Sequence, residues 1–123
     1  MAVINSVIDL PEASNTIRRA KWTPLTFTGL DSGAPFEFPD WADRAIQVYG
    51  TFGAGGTIVI EGSNDGIAWA TMTDQNGGNM SYTTATLKQM TEAPLYIRPR
   101  VTAGDATTSL TVVLVSRRLY QLF

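Results

Sequence analysis

Residues 46–74, IQVYGTFGAGGTIVIEGSNDGIAWATMTD, decide the class of fold. Ile46 and Val48 alternate with Gln47 and Tyr49, and Ile58 and Ile60 alternate with Thr57, Val59 and Glu61. Successive side chains of a β-strand point to opposite faces, so this alternation marks strands with one covered face. Gly53, Gly55 and Gly56 break the chain between the two runs, Ser63-Asn64-Asp65-Gly66 follows the second, and Trp69 leads the next strand. Asn and Asp favour turns through side-chain bonds to nearby backbone, and Gly accepts positive φ without a Cβ clash. The stretch therefore predicts three strands joined by two tight turns, in the manner of antiparallel hairpins.

The flanks extend the pattern. Ala20 to Thr28 reads as a strand anchored by Trp22 and Phe27, with Pro24 marking an edge or a bulge. Asp31-Ser32-Gly33 reads as a turn, Phe36-Glu37-Phe38 as a short strand, residues 39–43 as a tight corner and Arg44–Thr51 as a strong strand. Beyond Asp74, residues 75–79 read as a loop and Tyr82–Thr86 as strand-like, while Leu87–Glu92 fits either one helical turn or irregular backbone. Leu95–Val101 places Ile97, Pro99 and Val101 on one face and Tyr96, Arg98 and Arg100 on the other; Ala103-Gly104-Asp105 turns the chain. Ser109–Ser116 is apolar on both faces, so both are expected to be covered. About eight short strands without a long helix predict an all-β fold, an antiparallel β-sandwich of jelly-roll type. The expected organisation is an extended N-terminal arm over 1–19, a sandwich domain over 20–118 and a tail over 119–123. The arm is open to two readings: a strand and loop packed on its own domain, or an extension onto a neighbouring subunit.

Composition narrows the function. A chain of 123 residues with 44% hydrophobic and 16% charged residues is too apolar for disorder. It has no Cys and no His, which removes thiolate chemistry, zinc–sulfur sites and the commonest general base. Neither catalytic residues nor a cofactor or metal site is expected. A net charge of −2 does not recruit nucleic acid or an anionic membrane. No window approaches the roughly 20 apolar residues of a membrane helix, and no signal peptide is visible. Asp74, Asn76 and Asn79 offer oxygens to Ca²⁺ but lack the spacing of a calcium loop. The glycines from Gly50 to Gly56 precede a strand rather than a helix, unlike a phosphate loop.

The cations cluster as Arg18, Arg19 and Lys21, as Arg98 and Arg100, and as Arg117 and Arg118, while the acids sit mostly in turns. Such a strand-borne basic stripe is either plain surface solvation or a match for an acidic protein partner, with which arginine pairs bidentately. Val3, Ile4, Val7 and Ile8 in the arm, Arg98 and Arg100, and Tyr120 and Phe123 in the tail are the candidate protein-interface residues.

The order GTFGAGGTIVIEGSNDGIAWATMTD, then APLYIRPRVTAGDATTSLTVVLVSRR, resembles the capsid decoration (cement) proteins of tailed bacteriophages over residues 41 to 118. The resemblance implies a non-enzymatic virion protein on the capsid exterior, assembled in the host cytoplasm. Its implied partners are the major capsid protein and further copies of itself; closed symmetry makes a dimer the default homo-oligomer. The alternative is a glycan-binding sandwich module on a phage surface, for which an exposed Trp22, Trp41 or Trp69 would serve as platform.

Overall fold

A computed structural model describes residues 3–9, 17–37 and 43–117. The fold is all-β, two sheets packed face to face. The eleven described strands are β1 (Val3–Ile4), β2 (Val7–Asp9), β3 (Ile17–Thr26), β4 (Ser32–Gly33), β5 (Asp43–Thr51), β6 (Thr57–Ser63), β7 (Ala70–Thr71), β8 (Ser81–Tyr82), β9 (Thr86–Gln89), β10 (Tyr96–Ala103) and β11 (Ser109–Arg117). One sheet has the order β1-β4-β10-β6-β7, with β8 also paired to β6; the other has the order β2-β3-β11-β5-β9. Every pairing between them is antiparallel except that of β1 with β4.

The alternation read from the sequence sets the core. Ile46 and Val48 of β5, Ile58 and Ile60 of β6, Ile97 and Val101 of β10, and Leu110, Val112 and Leu114 of β11 are all buried between the sheets. Trp22 of β3 is fully buried among them, and its Nε1–H donates to the Ala34 carbonyl at 3.0 Å, across to the other sheet's edge. Gly33 passes so close that a Cβ there would lie 2.7 Å from Trp22 Cδ1 and 2.5 Å from Pro99 Cδ.

The pairing differs from expectation in four places. Residues 46–61 are not a hairpin: β5 pairs with β11 and β9, β6 pairs with β10, β7 and β8, and the glycine turn carries the chain from one sheet to the other. A tight turn reverses direction whether its arms stay in one sheet or part into two, so turn chemistry is silent on the choice. The turn expected at Asp31–Gly33 lies at Phe27–Leu30, where Leu30 N–H donates to Phe27 O at 2.8 Å, and Ser32–Gly33 is β4 instead. Residues 86–89 are neither helix nor irregular; they pair along β5 as the last strand of their sheet. The outer side of β11 is only half-covered, with Thr111, Val113 and Val115 partly exposed. Pro24 does mark a bulge, since the β3–β11 register shifts between Leu110 and Val112. Residues 38–42 of the expected corner lie outside the described residues.

The described part of the expected arm lies on the chain's own sheets. β1 lengthens the edge of one sheet and β2 the edge of the other, so residues 3–9 strap one side of the sandwich. Ile4 packs against the core, while Val3 and Val7 are exposed. Replacing Trp22 with Ala should cost about 3–5 kcal/mol, as emptying a buried aromatic site does. Urea denaturation followed by far-UV circular dichroism measures this; a loss under about 1 kcal/mol would mean the core closes without the indole.

Candidate interaction surfaces

Strand alternation puts Val59 and Glu61 of β6, and Arg98 and Arg100 of β10, on the outer side of the six-stranded sheet. Glu61 is 6% exposed because both arginines close over it. Arg98 Nε donates to Glu61 Oε1 at 3.1 Å; Arg100 donates from Nε to Oε1 and from Nη2 to Oε2, each at 3.0 Å. The Arg98 guanidinium also lies 4.0 Å from the centroid of the Trp69 ring. Charge-assisted bonds of this kind are short and hold both arginines in place. Two cations against one buried carboxylate leave this cluster with a net positive charge. Beside it, the negative charge of Glu37 is the main cause raising the Tyr96 pKa, with desolvation and a hydrogen bond to Glu37 adding to it.

The turn after β6 sets Trp69 in position. Ser63 Oγ accepts from Gly66 N–H at 2.9 Å, and Asp65 Oδ1 accepts from Ile67 and Ala68 N–H at 2.8 and 2.9 Å. Those two amides, then the Ser63 hydroxyl, hold the Asp65 carboxyl below its ordinary range. Gly66 has φ 75°, a conformation that a Cβ would strain. Trp69 is half-buried, and one partner of its ring is a cation. A partly exposed cation–π pair contributes roughly 0.5–2 kcal/mol. Trp69→Ala is therefore expected to destabilise by about 1–2 kcal/mol, well short of the Trp22 loss; equal losses in the same denaturation assay would show Trp69 to be a core residue.

On the opposite side, the outer surface of the five-stranded sheet carries Val7, Tyr49 and Leu87, which are 70%, 38% and 66% exposed, around half-buried Val113 and Val115. Arg19, Lys21 and Arg117 also lie on this surface, with Asp43 beside Arg117 in register. Ile8 is 40% exposed at its edge. Of the candidate interface residues, the fold brings Arg98 and Arg100 together on one face and sets Val7 on the other; Tyr120 and Phe123 lie outside the described residues. Glu61, Arg44 and the Val113–Leu87 surface were not singled out from the sequence. Strand alternation signals the outward side of Glu61, but its pairing with two arginines depends on the β6–β10 register. Arg44 faces inward, fully buried; it donates from Nη1 to the Pro94 carbonyl at 3.1 Å, stands 6.0 Å from the Phe36 ring, and has its pKa lowered by burial.

Asp74, Glu92 and Asp105 are engaged with the chain's own backbone. Asp74 Oδ1 accepts from Asn76 and Gly78 N–H at 2.9 and 3.0 Å. Glu92 accepts from Thr73 N–H at 2.8 Å and from the Thr73 hydroxyl, which lower its pKa. The Tyr82 hydroxyl is pushed up to about 12 by desolvation, with Asp74 adding to it. No group of three or more acidic, His or Cys side chains among the described residues is arranged to hold a metal. Asp105 ties together the crossings from β5 to β6 and from β10 to β11: Oδ1 accepts from Thr107 N–H at 2.9 Å and from its hydroxyl at 2.6 Å, and Oδ2 accepts from Ala54 N–H at 2.8 Å.

These bonds, that of the Thr107 hydroxyl foremost, depress Asp105 from 3.8 to about 2. A depressed carboxyl stabilises the fold above its unfolded pKa, and that contribution disappears as pH falls through the folded value. The stability difference between the parent and Asp105→Asn should thus be full above about pH 4 and vanish by about pH 2. Denaturation at several pH values reads it; a difference constant across that window would remove Asp105 from the acid response.

No family model matches the chain, and no curated protein or solved structure matches it.

Proposed function

We propose that this chain is a non-enzymatic structural protein of a tailed-phage virion, which binds the outer surface of the capsid, cements neighbouring capsomers and acts as a homo-oligomer. A cementing subunit must hold at least two neighbours at once. The observation that carries the reading is that the two outer faces of the sandwich offer different chemistry on opposite sides. One holds arginines in place around Glu61 and Trp69, with guanidinium edges suited to carboxylates of the major capsid protein. The other is broad, partly apolar and bordered by cations. The resemblance over residues 41–118 supports the same reading. In it the protein works on the virion exterior after assembly in the host cytoplasm, with no nucleic-acid or membrane partner. The glycan alternative has fewer platforms to stand on: Trp22 is buried, Trp69 shares its ring with Arg98, and Trp41 lies outside the described residues.

Electron microscopy of the virion whose genome encodes the chain tests this. Density for a β-sandwich of 13.3 kDa is expected outside the shell, spanning capsomer boundaries. Density confined to the tail, or none in the particle, would sink the proposal.

A further inference from the structure

We infer that the outer face of the five-stranded sheet pairs with the same face of a second copy, about a two-fold axis running along β11. A single cross-strand row, Val7, Lys21, Val113, Gln47 and Leu87, spans all five strands. The next row carries Arg19, Val115, Ala45 and Gln89, and Tyr49 lies opposite Thr111 on the other side. Both ends and the centre of the first row are apolar, with Val7 70% and Leu87 66% exposed. Two shallow depressions flank the central valines. One, of about 450 Å³, lies among Val7, Lys21, Tyr49 and Val113; the other, of about 360 Å³, lies among Ala45, Leu87, Gln89 and Val115. Ridge and hollows on one face are what a self-complementary surface needs.

Area and charge choose the occupant. Strands of three, ten, nine, nine and four residues, about 4.8 Å apart and rising about 3.3 Å per residue, give a face of roughly 550 Å². Two such faces together bury about 1,100 Å², just above the ~1,000 Å² that a specific interface needs. A two-fold along β11 carries the β3 side of one copy over the β5 and β9 side of the other. Val7 then meets Leu87 of the second copy, Val113 meets its own equivalent, and Lys21 meets the neutral Gln47. At the end of the face Arg117 meets its own equivalent on the axis, with the Asp43 of each copy, adjacent to it in register, offsetting the charge on either side. An in-plane axis across the strands would stack Lys21 on Lys21, which like charge disfavours. Aligned strands are also a usual geometry for two packed sheets.

This names the surface for the self-association in the proposed function, yet its test needs no capsid, so the two readings fail separately. Sedimentation of the purified full chain at micromolar concentration should show a dimer. Val113→Lys puts a charge on the axis without touching the inner core, and should weaken the dimer roughly a hundredfold or more. Gln47→Lys should also weaken it, Gln47→Glu should tighten it, and adding Lys21→Glu to Gln47→Lys should restore it. Circular dichroism checks that each variant is folded; Leu87→Lys, at an exposed edge position, replaces Val113→Lys if that variant is not. A wild-type monomer at all concentrations overturns the inference, as does a dimer indifferent to Val113→Lys or Leu87→Lys. A charge exchange at 21 and 47 that fails to restore pairing overturns the axis. A monomeric chain whose shell binding is lost in Val113→Lys would also overturn it and assign the face to the capsid.

Discussion

The contact of Trp22 with the facing sheet is the constraint on which the rest of the fold depends. The indole comes from β3 of one sheet, is wholly buried, and donates its N–H to Ala34 beside β4 of the other. A buried indole without that acceptor would carry the cost of an unmade hydrogen bond. The close approach is possible because Gly33 has no Cβ and Pro99 presents a flat ring on the other side. The inter-sheet spacing is thus set on this side by one large side chain and one absent one. The short strands β1, β2 and β4 lie around that contact, and β1 and β2, both within residues 3–9, each form the edge of one sheet.

At the arches from β5 to β6 and from β10 to β11, polar bonds take over. The crossings at residues 51–57 and 103–109 run side by side, joined by Asp105 to Ala54 and by the Thr108 hydroxyl to the Phe52 carbonyl at 2.7 Å. Apolar packing does not dictate where an arch lies, whereas a carboxylate that accepts three directed bonds does. The low pKa of Asp105 records the same bonds in another form.

Arg44 and Glu61 are withdrawn from solvent by different devices. Arg44 enters the core side of β5 and reaches the Pro94 carbonyl and the face of Phe36. Glu61 stays on the outer side of β6 and is covered by its two arginines. Removing one member of such a set leaves the other buried and uncompensated, so these groups hold the local geometry even where they add little net stability. The consequence for function is a cationic edge that is already ordered, and preorganised groups lose less entropy on binding. The opposite face works through shape and apolar area instead. A subunit that sits between neighbours gains from having these two modes on separate sides, since neither contact competes with the other.

Much of the sandwich was legible along the chain. Period-2 alternation assigned the inward residues of β5, β6 and β10, because the pleat forces successive side chains to opposite faces. Pro24 foretold the bulge, and Ser63–Gly66 foretold the turn that positions Trp69. Alternation also put Arg98 and Arg100 on one side together. What the chain could not disclose was partnership. Whether β5 pairs with β6 or with β11 depends on which distant strand offers a better-packed face, and the same glycine turn serves either outcome. The depth of Trp69 depends on Arg98, 29 positions away in number and one strand away in space. The inward course of Arg44 was hidden because a charge is expected outside unless an acceptor such as the Pro94 carbonyl waits for it. Local physics, repeated residue by residue, specifies faces and turns; register between strands far apart in sequence is a collective property of the packed sheets, and only the tertiary structure decides it.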